Sequence, residues 1–310
     1  MRRQPRPRPA LLVRDAAHDA VARQVREIRR QERLLLRSGA ADPVHDMRVA
    51  TRRLRAALAV FRGAAVLPKA GGRRRLRWLA RRLGRVRDLD VRTALLVGQY
   101  LPKVSGVEAA RVGGMLVDLA GRRAEACRRL RRDLKRRRYL RSRAALGEWV
   151  RAPVYAGPAE EAAARFMAAA VDRAAERVSG HDAMREARPS SEALHDLRIA
   201  VKWLRYTVDF HAESCGPAYE VERALTRELQ DCLGEMRDHD LLLAALAEDA
   251  AGPLPQLVAG VKAGRRKLWR RFLELRRRWR ARETPQRTVA PIEQPRFVNL
   301  EATPVLRLVG

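Results

Sequence analysis

His45, Arg48, Arg52 and Arg55 stand three, four and three residues apart, and His195, Arg198, Lys202 and Arg205 repeat the spacing 150 residues further on. At 100° per residue on an α-helix, the four positions fall at about 0°, 300°, 340° and 280°, an arc of roughly 80°. Each set is therefore a narrow cationic stripe about 15 Å long with a histidine at its head. Like charges three or four residues apart repel and weaken a helix by about a few tenths of a kcal/mol per pair, so an unneeded stripe has a cost. One such stripe in an arginine-rich chain reads as a solvated face. The same stripe in two places points instead to an anionic ligand. Arginine offers a fork of donors that matches phosphate oxygens, and modest contacts on a repeating anion add through multivalency.

Other chemistries fit less well. The His45-Asp46 and His195-Asp196 pairs suggest a metal-dependent phosphohydrolase, which needs further ligands at matching positions. His18 and His181 lie 27 and 14 residues upstream, and His211 and His239 have no counterpart in the first stretch, so no metal site is expected. Asp46 and Asp196 are instead expected to pair with arginines of neighbouring helices. In a second block, Arg87, Asp88 and Asp90, with Arg237, Asp238 and Asp240, read as inter-helix ion pairs that orient arginines. Gly84 and Gly234 beside them suggest a close helix crossing or a bend. Arg87 and Arg237 join the candidates for the anion site. There is no Walker A, GxSxG, GxGxxG or HExxH pattern. Ser190 and Ser191 near His195 read as a helix start rather than as part of a triad. A binding protein without catalytic residues or cofactor is the expectation.

The elements that position these residues come from a repeat. VHDMRVATRRLRAAL from Val44 aligns without gaps on LHDLRIAVKWLRYTV from Leu194, and LGRVRDLD from Leu83 aligns on LGEMRDHD from Leu233. Two separate blocks with one offset indicate a tandem duplication of a four-helix unit. Apolar residues recur at helical steps, as in Val21, Val25 and Ile28 or Leu116, Leu119, Cys127, Leu130 and Leu134, and no period-two stretch competes. Gly and Pro punctuation cuts the chain into about eight helices, four on each side of a loop near 151–158. Asp42 before Pro43 reads as the cap of the stripe helix. Val49, Leu54, Leu58 and Phe61, with Ile199, Val201 and Leu204, are expected to face the core. Dense cationic runs over 107–149 and 256–283 each read as one helix and set a long-range field for polyanions. Prolines leave 1–10 as a disordered basic arm and 284–310 as a flexible tail, with halves over 11–152 and 153–283.

Composition bounds the rest. The 310 residues carry 66 Lys and Arg, only six of them lysine, against 36 Asp and Glu, for a net charge of +30. Apolar residues at 46% exclude a wholly disordered basic chain. Aromatics at 5% argue against a β-sandwich and against a single-strand surface built on stacking platforms. Nonspecific nucleic-acid binding through net charge remains the competing reading. Cys127, Cys215 and Cys232 form no CxxC and are odd in number, which fits a reduced, cytosolic setting. No run of 18 apolar residues spans a membrane, and the start lacks a signal-peptide core.

A duplicated helical unit with VHDMRVATRRLR and LHDLRIAVKWLR, each followed by LGxxRDxD, resembles the CHAD family, the conserved histidine α-helical domain, over about 11–283. The resemblance implies an all-α fold of two four-helix bundles about a pseudo-twofold axis, facing a shared central basic cavity. It implies binding of inorganic polyphosphate, association with polyphosphate granules, and partnership with a polyphosphate-metabolising or CYTH-type enzyme. The phosphate-contacting residues would be His45, Arg48, Arg52, Arg55, His195, Arg198, Lys202 and Arg205, with Arg87 and Arg237. Glu235 in place of Arg85, and Trp203 in place of Arg53, make the second half's rim less basic and predict an unequal grip. Cationic histidines would strengthen binding as pH falls through about 6.5.

Overall fold

The computed structural model describes residues 11–38, 41–249 and 252–282. Among them the regular structure is helical, with no named strand: α1 (Val13–Ser38), α2 (Ala41–Val60), α3 (Arg73–Leu95), α4 (Gly106–Leu134), α5 (Arg137–Arg151), α6 (Ala163–Ser179), α7 (Asp182–Arg185), α8 (Ser191–Cys215), α9 (Glu220–Ala247) and α10 (Pro255–Ala281). The expected arm, the expected tail beyond 282 and the Asp42 cap lie outside the described residues and side chains. The stripes fall on α2 and α8, and the second blocks on α3 and α9.

The helices number ten rather than eight for two reasons. α7 is a single turn, and the run over 107–149 breaks in two. At the break Arg136 adopts extended backbone, with φ −71° and ψ 141°. Four successive cations from Lys135 to Arg138 gain little by stacking on one helix. Buried Asp133 instead draws Arg82 to 2.9 Å and Arg136 to 3.3 Å. The turn lets α5 fold back on α1, burying Tyr139, Leu146 and Trp149. There the Tyr139 hydroxyl donates to Glu32 at 2.8 Å, and Arg143 donates to the same carboxylate at 2.8 Å. At the start of α8, Ser190 accepts from the Ala193 N–H at 3.0 Å, which satisfies one of the helix's orphan donors.

Three apolar clusters hold the helices. One gathers α1, α2 and α3 with Met167 of α6 and Tyr206 and Phe210 of α8. A second joins α6, α8, α9 and α10 around Leu197, Leu229, Phe272 and Trp279. The third sets Leu95, Leu96, Tyr100, Val112 and Leu119 against Leu242, Leu246, Leu257 and Val261, so the two halves share a core. On α2 the buried ridge is Val44, Met47, Ala50, Leu54 and Leu58, continued by Phe61 just past the end of the helix. Val49 and Ile199, expected in the core, are only half-buried. Each lies about 40° from its histidine, at the edge of the cationic stripe and well away from the centre of the buried face. The three cysteines are free, Cys127 and Cys232 buried.

Candidate functional site

α2 packs on α8, and α3 meets α9, so the two stripes are brought face to face. The charges show how close they come. Arg48 is held below the ordinary arginine range by burial, with Arg52 and Arg198 adding to the depression and Asp88 opposing it. Arg198 is depressed by burial and by Arg52 and Arg237, against the pull of Asp238. Lys202 is pushed down to about 8 by burial and then by Arg198, Arg52, Arg55 and Arg48. A lysine of one repeat thus feels three arginines of the other.

The histidines sit at the margin of this cluster. Burial lowers His45, helped by Arg87, and burial lowers His195, helped by Arg198 and Arg237. Each histidine thus feels the charge of the arginine of its own half's second block, His195 after that of Arg198. The expected pH midpoint near 6.5 accordingly moves lower in the unliganded protein. The Nε of Arg52, Arg198 and Arg205 and the Nδ1 of His195 are buried without a hydrogen-bond partner. Buried donors left unsatisfied are expensive, and an anion's oxygens would satisfy them.

The fold supports the cluster from behind. The Arg52 guanidinium lies over the Tyr206 ring, 5.5 Å from its centroid. Gly84 makes room for Arg48: a Cβ there would stand 2.9 Å from the Arg48 Nη1. Gly234 has open space instead, so the expected close crossing does not occur at that position. Asp90 binds Arg123 of α4 at 2.5 Å, and Asp240 binds Arg265 of α10 at 2.8 Å, so these two aspartates form the inter-helix ion pairs expected of them. Asp88 favours the charged forms of Arg48 and Arg198, Asp238 favours that of Arg198, and burial, with Asp88 beside it, holds Asp238 above the usual carboxylate range.

Some expectations are corrected. Asp46 and Asp196 make no ion pair within 4 Å among the described residues, because each projects about 100° from its histidine and away from the cationic arc. Arg205 stands apart from the rest in having an acid within 4.0 Å, the buried Asp209. Arg53 is drawn to Asp209 and Glu213, so its replacement by Trp203 removes no free charge from the rim. The extra histidines all have structural partners. His18 bonds the Val150 carbonyl at 2.9 Å, His181 caps α7, His211 packs edge-on to Tyr219, and His239 bonds the Tyr100 hydroxyl at 2.6 Å. No group of three His, Cys, Asp or Glu placed to hold a metal ion occurs among the described residues.

Two residues were missed by the sequence reading. Arg77 and Arg81 of α3 stand near enough to Arg55 to depress it. Arg77, Arg81, Gly84 and Asp88 share one face of α3 within about 60°, and that spacing could have revealed them. They were hidden among the nine arginines of the helix.

The CHAD domain family model matches residues 19–247. Two uncharacterised proteins, from two strains of Mycobacterium tuberculosis, are each 32% identical over 250 residues, covering 77% of this chain and 47% of their own length. The chain thus spans about half the length of these curated relatives. The crystal structure of the CHAD domain from the plant Ricinus communis superposes with a TM-score of 0.63 at 22% identity, covering 90% of this chain and 97% of that one. PptA from Streptomyces chartreusis gives a TM-score of 0.66 at 18% identity, covering 87% and 99%.

Proposed function

The chain belongs to the CHAD domain family, and from that premise we propose that it is a non-catalytic module that binds inorganic polyphosphate and brings the protein to polyphosphate granules. The observation that carries this reading is the meeting of Arg48, Arg52 and Arg55 with Arg198 and Lys202. These are five cations from two repeats, close enough that Arg52 and Arg198 help to depress Arg48, Arg52 helps to depress Arg198, and all four arginines help to depress Lys202. Such a cluster opposes folding in the absence of a counter-ion. A linear polyanion relieves the repulsion along its whole length, which a single phosphate does at only one place. No helix of the described residues is long and apolar enough to cross a membrane.

The test is titration of long-chain polyphosphate into the protein at physiological salt, with duplex DNA as competitor. A His45→Ala/Arg52→Ala/His195→Ala/Lys202→Ala variant is titrated beside it. The expected result is binding that withstands excess DNA and collapses in the variant. Equal binding of both polyanions, unchanged in the variant, would mean that net charge rather than the repeated motif does the binding, and the nucleic-acid reading would take its place.

A further inference from the structure

The two repeats differ most in the helices that carry their second blocks. α3 has nine arginines against two aspartates, whereas α9 has three arginines against seven carboxylates. The carboxylates of α9 hold the cations of α10: Glu228 bonds Arg278 at 2.8 Å, Asp240 bonds Arg265 at 2.8 Å, and Glu235 lies 4.0 Å from Arg271. In the first half the cations of α4 are held largely by α4 itself, through Asp118 and Glu125. Arg77, Arg81 and Arg85 of α3 are exposed and make no ion pair among the described residues. At the duplicate positions stand Arg227, Asp231 and Glu235.

These three arginines are not an isolated face. Arg77 and Arg81 adjoin Arg55 of the central cluster. Arg85, about 40° further round α3 than Arg81, lines a groove of about 400 Å³ between α3 and α4, whose other charged residues are Arg82, Arg122, Glu125 and Arg129. There Arg82 is held by Asp133, Arg122 by Asp118 and Arg129 by Glu125, which leaves Arg85 as the groove's cation without an acid partner among the described residues. Exposed cations without an acid partner among the described residues therefore run from the centre over the crest of α3, from Arg77 through Arg81 to Arg85 at the edge of that groove. On the other side the same path is broken by Asp231 and Glu235.

We propose that a polyphosphate too long for the central cluster leaves it on the first-half side only, over Arg77 and Arg81 and into the α3–α4 groove at Arg85. The site thus holds one end or one bend of the polymer centrally and reads chain length along α3. This inference rests on the polyphosphate reading and adds a length-sensing path to it.

The experiment exchanges the residues of the two halves. Affinities for tripolyphosphate and for long-chain polyphosphate are measured on the full chain, on Arg81→Asp/Arg85→Glu, and on Asp231→Arg/Glu235→Arg. A charge-matched control, Arg266→Asp/Arg270→Glu, carries the same change at the same spacing on exposed positions of α10. The expected result is that Arg81→Asp/Arg85→Glu lowers the long-to-short affinity ratio roughly tenfold. Asp231→Arg/Glu235→Arg should raise that ratio, and the α10 control should keep it within about twofold of the unaltered protein. Equal loss of the ratio in the α3 variant and the α10 control overturns the path and leaves the central site standing. Failure of the unaltered protein to bind either polyphosphate overturns the underlying reading instead.

Discussion

At the scale of single residues, Lys202 is the most informative side chain. Held at about 8 by burial and four arginines, it is largely neutral at pH 9 in the free protein. A bound polyanion favours the charged form and moves the pKa back toward the ordinary lysine value, so binding at pH 9 should take up close to one proton. Calorimetry in buffers of different ionisation heat would read that uptake, and Lys202→Met should abolish it. The two histidines give a second test in which stability and affinity move in opposite directions. Their pKa values are lowered in the folded protein, so the unfolded chain binds more protons just below pH 6.5. The free protein should therefore lose stability as pH falls from 6.5 toward 5.5. Over the same range polyphosphate affinity should rise, since the anion favours the imidazolium. Replacing both histidines with glutamine should flatten the affinity curve between those limits and reduce the loss of stability to the part that His211, also lowered by burial, contributes. A fall in affinity on acidification would remove His45 and His195 from the contact set. The stripes themselves were legible in the sequence because helical spacing and repetition are properties of sequence. Which cations are free was not, because carboxylates distant in sequence decide it, as Asp209 and Glu213 do for Arg53.

Among the elements, α2, α3, α8 and α9 were readable from the apolar period and the shared offset. The break between α4 and α5 was not, since it depends on Asp133 and Glu32 taking partners that only the fold supplies. The glycines of the second block behave in the same way. Gly84 and Gly234 occupy equivalent places in sequence, but only Gly84 has a guanidinium against its Cα. Alanine within a helix gains about 0.5–1 kcal/mol over glycine, and at Gly234, where space is open, that gain should appear as a higher Tm with unchanged polyphosphate affinity. At Gly84 the new methyl group would meet the Arg48 Nη1 at 2.9 Å and displace it from the cluster. Gly84→Ala should therefore lose affinity several-fold with little change in Tm. If both substitutions leave binding intact, Arg48 is not a ligand contact. Two glycines at equivalent places in sequence thus become measurably inequivalent in packing.

For the molecule as a whole, charge and core act against each other. A net charge of +30 favours expansion, and the central cluster concentrates part of that repulsion between the two repeats. The halves are nevertheless joined by apolar contacts. Tyr206 and Phe210 of α8 are fully buried in the cluster of the first half, and Leu95, Leu96 and Tyr100 share a core with Leu242, Leu246 and Val261. Burying one such side chain is worth about 1.5–3 kcal/mol, so separation exposes more than a domain of ordinary stability can lose. Residues 1–152 and 153–310 produced separately should each lack a cooperative thermal transition, while the intact chain melts in one. On the proposed reading, in which both repeats contribute to the site, polyphosphate should raise the Tm of the intact chain, and the rise should shrink steeply with salt as counter-ions compete. Two independent transitions in the intact chain, with only one shifted by polyphosphate, would mean that a single repeat suffices for binding. The convergence of Arg48, Arg52 and Arg55 with Arg198 and Lys202 would then have no bearing on the ligand.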